Sequence, residues 1–234
     1  MDFLICRMKR IVILSGAGMS AESGLKTFRD SDGLWENHNV YDVATPEAFA
    51  RDPELVLNFY NERRLQVLEA EPNKAHLALA DLEKHFHVTI ITQNIDNLHE
   101  RAGSTRVLHL HGEIDLARSS IDASLIYPLN GSQINIGDTC EKGSQLRPHI
   151  VWFGEPVPMI EEAIPIVELA DILMVIGTSL AVYPAAGLVN YAPHFADKFY
   201  IDPNGMDGVN IHNFNVIAKK AGDGVPELVM RLLE

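Results

Sequence analysis

The amino-acid sequence predicts an α/β fold, a parallel sheet with helices on both faces and a small inserted domain. Three observations predict it. Residues 11–14, 88–92, 172–179 and 198–202 form short apolar runs rich in β-branched or aromatic residues, the pattern of buried parallel strands. Segments with apolar residues at helical spacing lie between them. Three runs end in small or polar residues, at Gly16, at Gln93-Asn94 and at Gly177-Thr178-Ser179. In open α/β sheets ligands bind at these carboxyl ends.

The elements follow in chain order. Residues 11–14 carry Ile, Val, Ile and Leu and stop at Ser15-Gly16, which reads as the first buried strand. Residues 31–45 are irregular but aromatic, with Trp35 and Tyr41. Residues 53–70 place Leu55, Val56, Phe59, Leu65 and Leu68 at helical spacing, and residues 73–85 continue with Ala75, Leu77, Leu79 and Leu82. Residues 108–113 alternate, so His109 and His111 share one face of an extended segment. Residues 114–146 are rich in Ser, Asp, Asn and Gly and read as an insert outside the main sheet. Residues 160–170 and 225–233 are helical in pattern.

Composition narrows the function classes. The 234 residues are 47% hydrophobic and 22% charged, which is globular rather than disordered or fibrous. No apolar run approaches the ~18 residues of a membrane span, and the first ten residues are too short and too charged for a secretory signal. Cys6 and Cys140 lack metal-type spacing. A cytoplasmic protein is the expectation. The net charge of -13 disfavours nucleic acid, whose phosphates need a positive face. It is compatible with lysine-rich partners, although an acidic surface can also serve solubility alone.

Gly16-Ala17-Gly18-Met19-Ser20-Ala21 fits the dinucleotide fingerprint. The glycines permit a tight turn and a close approach to pyrophosphate, and a helix starting there would offer unpaired N–H groups. No second strand ending in an acidic residue follows; residues 27–37 form a polar, aromatic loop, so the nucleotide is expected under a loop. Residues 92–97, TQNIDN, place polar side chains at a strand end. They either pair with one another or await a ligand, because an unpaired buried polar group costs ~1–3 kcal/mol. His111 is suited to general-base work near neutral pH, and Gly112 leaves room beside its ring.

These residues carry a resemblance. The segments GAGMSAESGLKTFRDSDGLW (16–35), TQNIDNLHERAG (92–103), LHGE (110–113), RPHIVWFGEPVP (147–158) and GTSLAVYPAAG (177–187) run in order over most of the chain. The sequence resembles the sirtuins, NAD-dependent protein-lysine deacylases. The resemblance implies one catalytic domain over 1–234. Its Rossmann-like core would cover about 8–35, 70–113 and 147–234, with small-domain segments about 36–69 and 114–146. It implies that Gly16, Ala17, Gly18, Ser20 and Glu22 line the pyrophosphate and ribose. Phe28, Arg29 and Trp35 would belong to the cofactor loop. Gln93 would hold the nicotinamide ribose, Asn94, Ile95 and Asp96 the nicotinamide, and His111 would be the catalytic base. Gly177, Thr178 and Ser179 would contact ribose and phosphate. Asp202, standing where the family usually has Asn, would meet the adenosine ribose, followed by Pro203 and Asn204, with Ala221 at the adenine. Val151, Phe153, Gly154, Glu155, Val182 and Tyr183 match segments that sandwich a substrate peptide as an added strand.

The implied reaction consumes NAD. The acyl oxygen of a modified lysine attacks the ribosyl carbon as nicotinamide leaves, and His111 then takes a proton from a ribose hydroxyl. Lysine and O-acyl-ADP-ribose result. Ala44, Tyr60 and Arg63 match the sirtuin class that prefers acidic acyl groups, which implies removal of succinyl and malonyl as well as acetyl. The substrates would be acylated proteins or peptides, not nucleic acid or membranes. One departure is large: between residues 114 and 146 only Cys140 remains where sirtuins usually carry two cysteine pairs. No zinc is therefore expected, and Ile121, Leu125, Ile126, Tyr127 and Leu129 are expected to pack the insert. A mono-ADP-ribosyltransferase and an inert NAD or ADP-ribose binding module stay open as alternatives.

Overall fold

The computed structural model describes residues 7–26, 34–35 (backbone), 38–129, 133–205, 207 and 212–234. In chain order the strands are β1 (Arg10–Ser15), β2 (Leu34–Trp35), β3 (His38–Asn39), β4 (His87–Thr92), β5 (Val107–His109), β6 (Gly112–Ser119), β7 (Ile126–Pro128), β8 (Leu146–Ile150), β9 (Ile172–Ile176), β10 (Asp197–Ile201) and β11 (Asn215–Ile217). The helices are α1 (Val40–Val43), α2 (Pro46–Arg51), α3 (Pro53–Glu69), α4 (Lys74–Leu82), α5 (Leu98–Arg101), α6 (Ile160–Val167) and α7 (Ala221–Leu233).

Six strands form one parallel sheet in the order β11-β10-β9-β1-β4-β5. Strand periodicity sorts β1 between two cores. Ile11 and Ile13 face Leu79 and Leu82 of α4 and Val225 and Leu228 of α7. Val12 and Leu14 face Ala163 and Val167 of α6, together with Leu188. All four β1 residues are buried, and each such side chain is worth about 1.5–3 kcal/mol. After β1 the chain builds outward through β4 and β5, then returns to the other side of β1 for β9, β10 and β11. The order therefore reverses at β1, which opens a crevice at the carboxyl ends of β1 and β9.

Two sequence expectations change, and one strand was not expected. No α-helix starts after Gly16; two short 3-10 turns, Ala17–Met19 and Ala21–Ser23, occupy the place, and Gly24 ends them at φ 91°, a left-handed conformation suited to glycine. Helix α7 begins at Ala221 rather than 225. Its glycines hid this start, but a Cβ on Gly224 would stand 2.7 Å from Ile201 Cγ2, so the glycine serves close packing on β10. The three-residue β11 is too short to show a period.

Strands β7, β6 and β8 make a separate antiparallel sheet. The side chains expected to pack it do not all do so: Ile121 is 69% and Ile126 43% exposed. Instead Ala117, Ile134, Leu129 and Leu146 close on Leu57 and Phe49. Asn61 of α3 completes the attachment. Its side-chain amide donates to the Ile134 carbonyl at 3.0 Å, and its carbonyl accepts from Ile134 N at 2.9 Å and from Arg64 at 2.9 Å. It thus pairs with the insert as a strand backbone would. Asn61→Ala is expected to cost about 2–4 kcal/mol, from the lost bonds and the buried donors left unpaired. Urea unfolding measures the loss, and faster proteolysis within 129–146 locates it.

Candidate active site

The crevice is a cleft of about 890 Å³. Its floor is a backbone crossing. Gly16 N donates to the Ile176 carbonyl at 3.0 Å and Gly18 N to the Gly177 carbonyl at 2.8 Å. A Cβ on Gly18 would lie 2.8 Å from Gly177 Cα, and one on Gly177, at φ 62°, would lie 2.4 Å from Met19 N. Only glycine allows this approach. Thr178 is held beside the crossing. Its hydroxyl oxygen accepts from Gln93 Nε2 at 3.2 Å and from Leu180 N at 3.2 Å, and its carbonyl accepts from the Tyr200 hydroxyl at 2.7 Å. At one end Glu22 accepts from Gly222 N at 2.7 Å, the first turn of α7. The buried Asp202 accepts from Asn204 N at 3.1 Å.

The loop after β4 pairs through Ser20. Asn94 Nδ2 donates to Ser20 Oγ at 3.0 Å, and Ser20 in turn donates to Asp96 Oδ2 at 3.0 Å. Asn94 and Asp96 are buried. Burial pushes the Asp96 carboxyl up from its usual range, against bonds from Leu98 N and Ser20 that favour the anion. His111 Nδ1 lies 3.0 Å from the Gln93 carbonyl. A carbonyl only accepts, so Nδ1 carries the proton and Nε2 keeps its lone pair. Burial holds the His111 pKa below its ordinary value, so a neutral base is present at pH 7. Gly112 serves another purpose than room for the ring: at φ 81° its missing Cβ would stand 2.0 Å from the His149 carbonyl on β8.

At the other end of the cleft Tyr60 and Arg63, one turn apart on α3, are buried. The Tyr60 oxygen accepts from Trp152 Nε1 at 3.0 Å, and Arg63 donates to Gln66 Oε1 at 3.0 Å. Burial raises the Tyr60 phenol well above its ordinary pKa, so it is protonated at any pH near neutrality. Phe153 N donates to the Ala44 carbonyl at 3.0 Å and Val151 N to the His111 carbonyl at 2.9 Å, which ties this end to the histidine. Glu155 accepts from Arg147 at 2.7 Å, from Arg118 at 3.1 Å and from Trp152 N at 2.8 Å.

One cleft thus gathers Gly16, Ala17, Gly18, Ser20 and Glu22 with Gln93, Asn94, Ile95, Asp96 and His111. Gly177, Thr178, Ser179, Asp202, Pro203, Asn204 and Ala221 line it as well. Ala44, Tyr60, Arg63, Val151, Phe153, Gly154, Glu155, Val182 and Tyr183 complete it. Phe28, Arg29 and the side chain of Trp35 lie outside the described residues. The Sir2 family profile matches residues 16–184. The chain belongs to the Sir2 family. It is 53% identical over 227 residues to an NAD-dependent protein deacylase of Helicobacter pylori, covering 97% of this chain and 99% of that protein. An NAD-dependent protein deacylase of Bacteroides thetaiotaomicron is 54% identical over 231 residues, covering 97% and 99%. Among solved structures, a mutant Sir2 homologue in complex with ADP-ribose superposes with a TM-score of 0.88 at 40% identity, covering 100% of this chain and 97% of that chain. A Sir2 homologue–NAD complex gives 0.86 at 40% identity, covering 97% and 90%.

In this Sir2 chain the zinc-type insert lacks a matching donor set. Cys140 Sγ donates to Ser119 Oγ at 3.3 Å and Ser120 Oγ lies 2.5 Å from Ser144 Oγ; one thiol among hydroxyls does not fit a closed zinc site. Among the described residues no group of three or more His, Cys, Asp or Glu side chains could hold a metal.

Sequence reasoning missed a buried polar layer beneath the loop. Ser15 Oγ donates to Thr92 Oγ1 at 2.9 Å and lies 3.1 Å from His99 Nε2, while Thr92 Oγ1 also accepts from Asn94 N at 3.0 Å. The His99 ring stacks edge-on with His76 at 4.9 Å. Only the buried setting of Ser15 and Thr92 at adjoining strand ends could have signalled it. Burial lowers the pKa of His76 to about 4. The unfolded chain then binds more protons between pH 6.5 and 4, so stability is full above 6.5 and falls with acid. From pH 6.5 to 5 this site alone should cost ~1–2 kcal/mol. His76→Gln, which retains an acceptor for the Asn73 N–H but cannot titrate, should reduce the pH dependence of the urea midpoint over that window, leaving the share of the neighbouring buried His99.

Proposed function

We propose that this chain removes acyl groups from protein lysine side chains with consumption of NAD, and that its acyl pocket favours groups ending in a carboxylate, such as succinyl and malonyl, alongside acetyl. The observation that carries the reading is a single cleft that joins the glycine crossing, the Asn94–Ser20–Asp96 chain, His111 and the Tyr60–Arg63 end. The Sir2 membership and the deacylase relatives support the activity. The residues fit a dinucleotide. Gly16, Ala17, Gly18 and Gly177 line the cleft where the two strand ends cross without side chains between them, a close-packed backbone edge that suits a pyrophosphate, and buried Asn94 and Asp96 offer the donors and acceptors an amide needs.

Bound NAD supplies a ribosyl carbon whose nicotinamide can leave. Asn94 and Asp96 hold the carboxamide, and Ser20 fixes both. Gln93 orients the adjoining ribose and Asp202 grips the adenosine ribose. His111, tethered through Nδ1, would take a ribose hydroxyl proton at Nε2, which would let that oxygen bond the acyl carbon; one water then completes the release of lysine, with nicotinamide and O-acyl-ADP-ribose as the other products. Val151, Phe153 and Gly154 on one side and Val182 and Tyr183 on the other hold the peptide as an added strand. The proposal includes protein substrates rather than nucleic acid, which the net charge of -13 disfavours, no membrane partner, and a cytoplasmic setting.

Incubation with NAD and an acylated peptide separates this reading from its rivals: freed lysine supports it, while ADP-ribosylated protein or no turnover would replace it with transfer or simple binding. His111→Ala should lower turnover by ~10²–10⁴ and leave NAD affinity, measured by calorimetry, within a few-fold. For the acyl end, a guanidinium and a phenol can hold a carboxylate by charge-assisted bonds worth ~1.5–3 kcal/mol, or ~10- to 150-fold. Arg63→Met should therefore lose desuccinylation by that factor and keep most deacetylation. Equal losses on the two peptides would make Arg63 structural.

A further inference from the structure

His109 stands beside the reacting loop and has no part in the chemistry above. Its ring is bonded at both nitrogens. Nδ1 lies 3.0 Å from the Asn94 carbonyl, and Nε2 lies 2.8 Å from Glu100 Oε1 on α5. Both partners are acceptors, and a neutral imidazole has only one N–H. The two bonds coexist only when both nitrogens carry protons. The His109 side chain is 8% exposed, while its partner Glu100 is 40% exposed, so the ring is shielded from water and the carboxylate is reached from one side.

We infer that His109 is a positioning residue of the loop that holds Asn94 and Asp96, locked as an imidazolium between the Asn94 carbonyl and the Glu100 carboxylate. The inference rests on the reading that this loop holds the nicotinamide end of NAD. His109 and His111 bond the carbonyls of consecutive loop residues, Asn94 and Gln93. They do so in opposite protonation states: His111 has one carbonyl partner and is neutral, while His109 has two acceptors and is charged. The charge has a second effect, because it favours the ionised form of Asp96 against the burial that opposes it. The groups facing His109 are Glu100 and His99 of α5, Glu113 of β6 and Asp96 of the loop. Burial alone would lower the His109 pKa, but the Glu100 carboxylate, the Asn94 carbonyl and Glu113 together hold it above the ordinary value. Deprotonation breaks one of the two bonds and removes that restraint on the loop, whose ties through Thr92, Ser20 and His111 remain.

Two measurements test this, one independent of catalysis. Long-range proton–nitrogen spectra of the free protein at pH 7 should show two protonated nitrogens on His109 and one on His111. Glu100→Gln should lower the pH at which the His109 ring loses its proton. In NAD titrations, His109→Leu and Glu100→Gln should each raise the Kd by about tenfold or more while the KM for acyl peptide stays within twofold. The alkaline fall of kcat/KM for NAD should move to lower pH in Glu100→Gln. A neutral His109 ring at pH 7 would overturn the inference. So would folded variants of both kinds that bind NAD as the parent does. A protein that binds NAD in this way without freeing lysine would instead remove the deacylase reading and leave His109 in place.

Discussion

The ends of β1 and β9 meet with no side chain between them, and most of the site depends on that contact. Gly16 and Gly18 donate to the carbonyls of Ile176 and Gly177, so the two strands are locked where the sheet order reverses. A methyl group on Gly177 would displace the Met19 backbone rather than a flexible side chain. Because this part of the floor is backbone, the residues beside it, Ala17, Thr178 and Ser179, reach the cleft directly. Thr178, Gln93 and Tyr200 are then placed around the crossing by bonds to its immediate neighbours.

From this floor the polar order runs sideways through the end of β4. Ser15 and Thr92 are register partners on adjacent strands, and Thr92 bonds Asn94 N. The sheet thereby hands its geometry to a loop that has no regular structure of its own. Four histidines near this loop meet different environments. His76 and His99 are buried without acidic partners in hydrogen-bond contact, and burial holds them neutral. His111 has a single carbonyl, while His109 has a carbonyl and a carboxylate. Partner chemistry, rather than residue type, sets the protonation state of each.

The far end of the cleft has a different support. Glu155 gathers two guanidiniums and Trp152 N, and the Arg147 guanidinium lies 3.3 Å from the centre of the Trp152 ring. Trp152 Nε1, which can only donate, fixes the Tyr60 oxygen as an acceptor in that pair. The ion cluster therefore orients an aromatic pair rather than standing alone as a surface salt bridge, which is worth little. With Asn61 tying residue 134 to α3, the small sheet is joined to the same helix that carries Tyr60 and Arg63.

Much of the fold was legible in the chain itself. The runs at β1, β4, β9 and β10 are continuous and apolar because both sheet faces are covered; α3 and α4 were placed by their apolar spacing, although Leu65, Leu68 and Leu77 face solvent while Asn61, Arg63 and Arg64 of α3 are buried. The five motifs identified the family and most of the residues proposed for the cleft; Ala44, Tyr60, Arg63, Asp202, Pro203, Asn204 and Ala221 lie outside them and were matched by position. Those features are local, written in consecutive residues. What the tertiary structure alone decided depends on residues far apart in sequence. The reason for Gly112 lies on β8, and the reason for Gly224 lies on β10. Glu22 meets Gly222 across the chain. Composition suggested Ile121 and Ile126 as packing residues, yet a three-stranded edge leaves them facing outward while Asn61, a polar residue on a helix, holds the insert. Likewise, two histidines in the same alternating segment look equivalent in sequence. Their difference comes from Glu100, which α5 brings to one ring and not to the other, because a proton's place is set by the acceptors that folding assembles around it.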